Sequence, residues 1–535
     1  MITTMLDLSP PNLLNQTSLP FRDASGCKAW LSTLPLTDVP RAHTAVEEVV
    51  DSLNLTELSG FERLKIMELI RDKVAFLQDS VVAGFAGKPL PLSNKNLDVW
   101  EGADTLWQRM QQGYRYCLSK VANGDEATSK HFALIVERCL RYTGLQILHH
   151  GLIHREVPER LLEDLHALFH YARKRGVDDV KVKDSLDGYR GVATPMQAYV
   201  RALLIDAARV SLLTQNELMA VDALLKRWAA KVVISQLPPV GNNGALRCTN
   251  LTGARGLWKP HKDATESEGM IFLDLRDVSE SLRRRIRKLA AGTPSSELNL
   301  PPAFAHVAAA PLLGHLYRAW CEGSSQEPLS QPMRESCEVA ASFDVLYHSL
   351  AGKPFEVPRQ LEELGMLEAQ QLAVFGKVTN RAPVESVVTA SPVEAWEIEG
   401  IGADHIRMRY PAGGKVSVAL QQLIGYRRAS MSSYELGVIR GLTDQSTAGI
   451  LVELSPLPGG NQPEAVIVRS KDTTFIAAFR LHPADTSAPM SLLLPCGVYQ
   501  QGKVMEVRSD LIHMYRLKGL TQRGVNFDWV SCEAL

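Results

Sequence analysis

The sequence predicts an α+β protein whose two kinds of structure are segregated: an N-terminal all-helical domain, a mixed middle domain and a C-terminal β-rich region. Three observations carry that prediction. Apolar residues recur at three- and four-residue spacing from Asp38 to about Ile234. After about Val384 the period shifts towards two, in short segments rich in Val, Ile, Tyr and Phe. Between these regions, the breaker-rich stretches Pro238–Gly244 and Gly323–Pro332 interrupt both patterns.

Those breakers set the expected boundaries: residues 1–37 as an N-terminal extension, 38–236 as the helical domain, 237–322 as the mixed middle domain and 333–535 as the β-rich region. In the helical part, Val46, Val49, Val50 and Leu53 fall on one face, as do Leu64, Met67 and Ile70. Thr214-Gln215-Asn216-Glu217 has the form of a capping box, which predicts a helix carrying Leu218, Leu224, Leu225 and Trp228. In the middle part, Ala245–Leu251 and Met270–Leu275 read as strands and Val278–Leu289 as a helix. Beyond it, Ala395–Met408, Lys415–Ile424, Tyr434–Leu442, Gly449–Leu454, Ala465–Arg469, Thr474–Arg480 and Gly502–Val507 read as strands without intervening helices. That succession predicts one small barrel or a pair of them.

Bulk chemistry narrows the function. With 58 basic and 59 acidic residues in 535, no global field favours nucleic acid or an anionic membrane. The eight cysteines (Cys27, Cys117, Cys139, Cys248, Cys321, Cys337, Cys496 and Cys532) include no CxxC pair, so they read as thiols of a reducing compartment. No basic, then apolar, leader precedes Pro11, and no apolar run reaches the ~18 residues of a membrane span. Phe304–Trp320, the most apolar stretch, is broken by His306, Pro311, His315 and Arg318 and reads as a core helix. A cytoplasmic protein is expected.

Candidate chemistry is sparse. Imidazoles cluster at His149, His150, His154, His166 and His170, and the pairs His150/His154 and His166/His170 are four apart, which puts two on one helix face. Gly151 and Ala167 stand where a zincin would carry its glutamate, so these read as interface histidines and no metal is assigned. Arg283-Arg284-Arg285-Ile286-Arg287-Lys288 reads as the solvated face of a helix, without the interleaved aromatics of a nucleic-acid platform. Gly400-Ile401-Gly402 has His405 at the third position of a dinucleotide fingerprint. Gly84–Lys88 lacks Walker spacing, and there is no GxSxG elbow. No catalytic residue is assigned, and the protein is expected not to be an enzyme.

Trp396-Glu397-Ile398 through Ile406-Arg407-Met408, then Gln422–Arg427, then Tyr434-Glu435-Leu436-Gly437-Val438-Ile439-Arg440, resemble large bacterial proteins with a PilZ-type β-barrel. Trp30–Pro35, the Phe61–Lys65 helix, Phe343–Phe355 and Leu492–Pro495 fit the same group. The resemblance implies a PilZ-like barrel in the C-terminal region and a bacterial signalling context. It also implies cyclic di-GMP as ligand, its phosphates gripped by an R-x-x-x-R arm and its guanine lined by a D/N-x-S-x-x-G motif. Aligned on Trp396, this chain has Gly400, Gly402 and His405 where that motif has Asp/Asn, Ser and Gly. Arg334, Lys377, Arg381, Arg427, Arg428 and Arg440 are the cations near the resembling segments. Each missing charge-assisted contact costs about 1.5–3 kcal/mol.

Three readings follow. The first is a non-enzymatic signalling adaptor or scaffold whose cyclic di-GMP site is degenerate, with a protein partner unidentified, no cofactor, no nucleic acid and no membrane insertion. The second is a working cyclic di-GMP receptor that uses those six cations. The third is a metal-dependent enzyme in the helical half around His149–His170.

Overall fold

The computed structural model describes residues 19–184, 186, 191–239, 244–260, 268–322, 331–357, 393–470, 475–482, 490–509 and 511–535. The chain forms two compact units, Met1–Lys88 with Leu92–Glu327 and Pro89–Pro91 with Pro328–Leu535. The α+β segregation holds: helices dominate the first unit and strands the second.

In the first unit the helices run α1 (Ala24–Leu31), α2 (Val39–Leu55), α3 (Gly60–Val81), α4 (Asn94–Ala122), α5 (Glu126–Ser129), α6 (Phe132–Leu152) and α7 (Glu159–Lys174). A short pair, β1 (Val182–Lys183) and β2 (Val192–Ala193), leads to α8 (Pro195–Asp206) and α9 (Gln215–Trp228). The predicted periodicity is met, since Val46, Val49, Val50, Leu53, Leu64, Met67 and Ile70 are all buried. α6 is the central rod, packed on α4, α7 and α8. Thr214 and Glu217 close the capping box at the start of α9, each accepting from the other's backbone N–H. A three-stranded antiparallel sheet of β3 (Val233–Ser235), β4 (Leu246–Asn250) and β5 (Met270–Asp274), in the order β3-β5-β4, belongs to the same unit. So do α10 (Arg276–Ala290) and α11 (Ala309–Tyr317). The Phe304–Trp320 stretch is not one helix: a 3₁₀ turn covers Pro302–His306, α11 follows and a π turn covers Arg318–Glu322.

The second unit holds two closed barrels. The first comprises β6 (Gln331–Ala340), β7 (Glu394–Ile401), β8 (Ile406–Tyr410), β9 (Leu423–Arg428), β10 (Glu435–Asp444) and β11 (Ile450–Pro456), closed in the order β10-β11-β8-β7-β6-β9. The second comprises β12 (Glu464–Arg469), β13 (Ile476–Leu481), β14 (Ser491–Pro495), β15 (Val504–Arg508), β16 (Ile512–Arg523) and β17 (Phe527–Ala534), in the order β12-β13-β14-β17-β16-β15. Strand alternation builds the first interior from Trp396, Ile398, Ile406, Met408, Tyr410, Ile424, Tyr426, Val452 and Leu454, all buried. Trp396 meets Tyr410 edge-on at 5.3 Å.

One helix, α12 (Phe343–Ala351), joins the barrels. Its Leu346 and Tyr347 share a core with Leu423, Tyr434 and Leu436 of the first barrel and Phe479, Leu493 and Phe527 of the second. Gly425 lets it approach: a Cβ there would lie 2.3 Å from Leu346 Cδ1. Polar bonds stitch the same seam, Leu423 N–H donating to Asn526 Oδ1 at 2.8 Å and Val525 N–H to Gln421 O at 2.9 Å.

The predicted Lys415–Ile424 strand exists only at its end, from Leu423. Its apolar alternation is real, with Val416, Val418 and Leu420 buried. The backbone, however, is held by a side chain, since Glu394 Oε1 accepts from Val416 N–H at 2.9 Å.

Candidate functional site

The outer face of the first barrel carries charge because every second residue of its strands points away from the core. On β8 that places Arg407 and Arg409 outside, on β7 Glu397 and Glu399, on β6 Arg334 and Glu338, and on β9 Arg427. Register then brings opposite charges side by side: Glu397 opposes Arg409, Glu338 opposes Arg427 and Glu453 opposes Arg407.

The β7–β8 hairpin holds the degenerate motif positions. Gly400 sits at a bulge between Ile398 and Gly400 in the β7–β8 ladder. Gly402 N–H donates to His405 O at 2.7 Å, and the His405 ring folds over Gly402 so closely that a Cβ would lie 2.3 Å from its Cε1. Glycine is therefore required at 402 for the turn to close over His405. That imidazole is 2 % exposed, and its Nδ1 lies 3.1 Å from Asp404 Oδ1.

Arg440 joins this cluster. Its Nη1 donates to Asp404 Oδ2 at 3.0 Å, and its Nε lies 3.5 Å from the buried Glu453, which also faces Arg407 at 3.5 Å. The result is a chain Asp404–Arg440–Glu453–Arg407 of alternating sign, with the His405 ring against Asp404 at its end. Asp404, Arg407 and Glu453 were not singled out from the sequence. The signal available there was the in/out alternation of β8 and β11, but register is needed to make them neighbours.

The other candidate cations sit elsewhere. Arg427 donates to Glu338 Oε2 at 3.1 Å through Nε and lies 5.1 Å from the Tyr434 ring centroid. It and the Tyr434 hydroxyl hold the Glu338 carboxyl below its usual value. Tyr434 and Arg440 stand six residues apart along one strand direction, so Arg427 and Arg440 mark opposite ends separated by roughly 20 Å. Arg334 lies on β6 two residues beyond Pro332, the partner of Gly400, and its Nε is 3.8 Å from Glu397 with the side chain 90 % exposed. Arg428 is half-buried opposite Cys337, with its Nε unbonded among the described residues. Lys377 and Arg381 lie outside the described residues.

The helical unit disposes of its histidines differently. His166 bridges the Tyr199 hydroxyl at 2.8 Å and Arg255 O at 3.0 Å, while His170 is exposed. His149 Nε2 accepts from the Trp107 indole at 3.0 Å, and His150 lies edge-on to Trp100 at 5.1 Å. Burial pushes His149 down to about 3 and His150, His154 and His166 to about 4. Among the described residues no three His, Cys, Asp or Glu side chains converge as metal ligands. The arginine-rich face of α10 is partly engaged, Arg283 on the Tyr317 hydroxyl and Arg285 on Leu298 O.

A buried ion network in the same unit also escaped the sequence reading. Arg138 donates to Glu68 Oε1 at 2.9 Å and Glu137 Oε2 at 2.5 Å, and Arg71 donates to Asp184 Oδ1 at 2.8 Å. Burial raises Glu68, and Arg138, Arg71 and the Tyr114 hydroxyl together more than offset it, leaving the carboxyl below its usual value. The signal was the adjacent Glu137-Arg138 inside an apolar helix.

The chain is thus an α+β protein of a helical unit followed by paired barrels, with a charge-paired face on the first barrel. Among known proteins, residues 24–239 match the family model described as the N-terminal domain of the cyclic-di-GMP receptor FimW. The chain is also similar to the cyclic-di-GMP receptor FimW of Pseudomonas aeruginosa, 24% identical over 365 residues. That match covers 65% of this chain and 57% of the relative's length. The resemblance to cyclic di-GMP receptor-like proteins is thus borne out, most firmly on the helical unit. No solved structure matches the chain. No helix among the described residues is long and apolar enough to cross a membrane.

Proposed function

We propose that this chain is a non-enzymatic cytoplasmic signalling adaptor of bacteria, related to cyclic di-GMP receptors, whose first barrel has a degenerate cyclic di-GMP site. The observation that carries this reading is the pairing of the barrel's arginines: Arg427 is committed to Glu338, and Arg440 to Asp404 and Glu453. A guanidinium must leave its carboxylate before it can take a phosphate, so net affinity falls by the pair it breaks. The motif positions Gly400 and Gly402 add no hydroxyl or carboxylate to compensate, and His405 is buried.

Calorimetric titration of the full chain with cyclic di-GMP tests this, with no saturable isotherm expected at micromolar ligand. Similarity to the cyclic-di-GMP receptor FimW of Pseudomonas aeruginosa favours a second reading, a working receptor that grips the phosphates with some of Arg334, Lys377, Arg381, Arg427, Arg428 and Arg440. A micromolar isotherm that weakens with salt and is lost in Arg427→Ala or Arg440→Ala overturns the first reading in favour of the second.

A further inference from the structure

In the helical unit, α3, α4, α6 and α9 enclose a cavity of ≈ 160 Å³ that has no part in the barrel reading. Trp107, Tyr142, Leu145 and Leu148 form its apolar wall, and Leu186 and Met219, 40 % and 36 % exposed, stand at its mouth. The volume matches one aromatic ring, since about 150 Å³ of apolar cavity holds benzene.

Two polar atoms on this wall lack a protein partner among the described residues, Gln78 Oε1 and His149 Nδ1. Trp107 Nε1–H donates to His149 Nε2 at 3.0 Å, which fixes the neutral tautomer with its proton on Nδ1. His149 is 3 % exposed, and no acceptor among the described residues reaches Nδ1. Burial keeps the ring neutral, pushing it down to about 3. The charged groups on the wall are already occupied: Arg71 holds Asp184 at 2.8 Å, Arg201 holds Asp222 at 2.7 Å, and Asp79, Arg141 and Lys226 are engaged as well. Such a wall selects against a charged ligand and leaves one fixed donor, His149 Nδ1–H, and one acceptor, Gln78 Oε1, to be answered.

We propose that this cavity is a binding site for a small neutral aromatic molecule, one benzene-sized ring bearing an acceptor oxygen that takes the His149 Nδ1–H. The ring enters past Leu186 and Met219 and packs against Trp107 and Tyr142, with its oxygen innermost.

Benzamide and toluene are the probes, titrated calorimetrically into the full chain. Benzamide should bind saturably at low millimolar concentration or better, with toluene about tenfold weaker for want of one buried hydrogen bond. His149→Phe keeps a ring in place and should level the two affinities. Met219→Trp, at the exposed mouth, should abolish both while leaving the unfolding transition in place, and it decides the matter should the histidine variant fail to fold. The proposal is overturned if benzamide does not saturate, if toluene binds the wild-type chain equally well, or if Met219→Trp leaves benzamide binding unchanged. A crystal grown with benzamide that shows only ordered water on Nδ1 overturns it too.

Discussion

The two units handle charge in opposite ways. The helical unit buries it: Arg63, Arg138, Glu137 and Asp184 are each at most 1 % exposed, and the guanidinium of Arg63 caps the end of α2 by donating to Leu53 O and Thr56 O. The first barrel spreads its charge over the outside, where Arg427 and Glu338 remain 38% and 49% exposed. A helix bundle has wide interior seams between rods that a long side chain can enter. A six-stranded barrel is filled by its inward residues and leaves room for charge only on the outer face. The buried network around Arg138 is therefore structural and all-or-none, and the exposed Arg427–Glu338 pair is adjustable.

The largest expected difference is in acid. His149, His150, His154 and His166 are held well below their ordinary 6.5 by burial, with His43 and His315 shifted the same way. Below about pH 6.5 the unfolded chain takes up protons at these sites and the folded one does not. Stability that is complete above pH 6.5 is therefore lost as pH falls towards 4. Asp104 and Asp206, raised to about 6 by burial, and Glu47 and Glu137, raised the same way, work against this over that window, but they are four against six. In the barrels the depressed groups are carboxylates such as Asp528 and Glu506, whose contribution persists until pH falls below their ordinary 3.8 and 4.5. Denaturant titrations at pH 7 and 5 should show the helical unit, which carries Trp30, Trp100, Trp107, Trp228, Trp258 and Trp320, losing most of its stability while the barrels hold. Equal losses in both units would erase the contrast.

Next in size is Arg138→Ala. It leaves the buried Glu137 without its guanidinium and takes one of two cations from Glu68 and Asp184, which keep Arg71, and should cost about 3–5 kcal/mol in chemical denaturation. Smallest is Arg427→Ala in the barrel, which removes a half-exposed pair and should cost at most ~1 kcal/mol by calorimetric unfolding. If the two variants cost the same, burial is not what separates the units.

Much of the architecture was legible because it depends on local spacing. Helical periodicity survived from Val46 to Trp228, and the Thr214 capping box formed as its four residues predict. Elements were missed where a strand's polar face hid its apolar one. β6 opens on Gln331-Pro332 and carries Arg334, Glu335, Ser336 and Glu338, and most of β16 from Ile512 to Arg523 is exposed or half-buried. The candidate site was legible only as a set of residue types. Glu338 meets Arg427 across 89 positions and Asp404 meets Arg440 across 36, distances over which no periodicity speaks. The resemblance to cyclic di-GMP receptor-like proteins agrees with the matching family model and relative because it reads whole segments rather than pairs.

The seam built on α12 sets how this chain can be cut. Severed ahead of Glu464, the distal barrel would present Phe479, Leu493 and Phe527 as a greasy flank to solvent, a surface that invites clumping. Neither half is an exchangeable cassette, and heat should melt them as a single cooperative block.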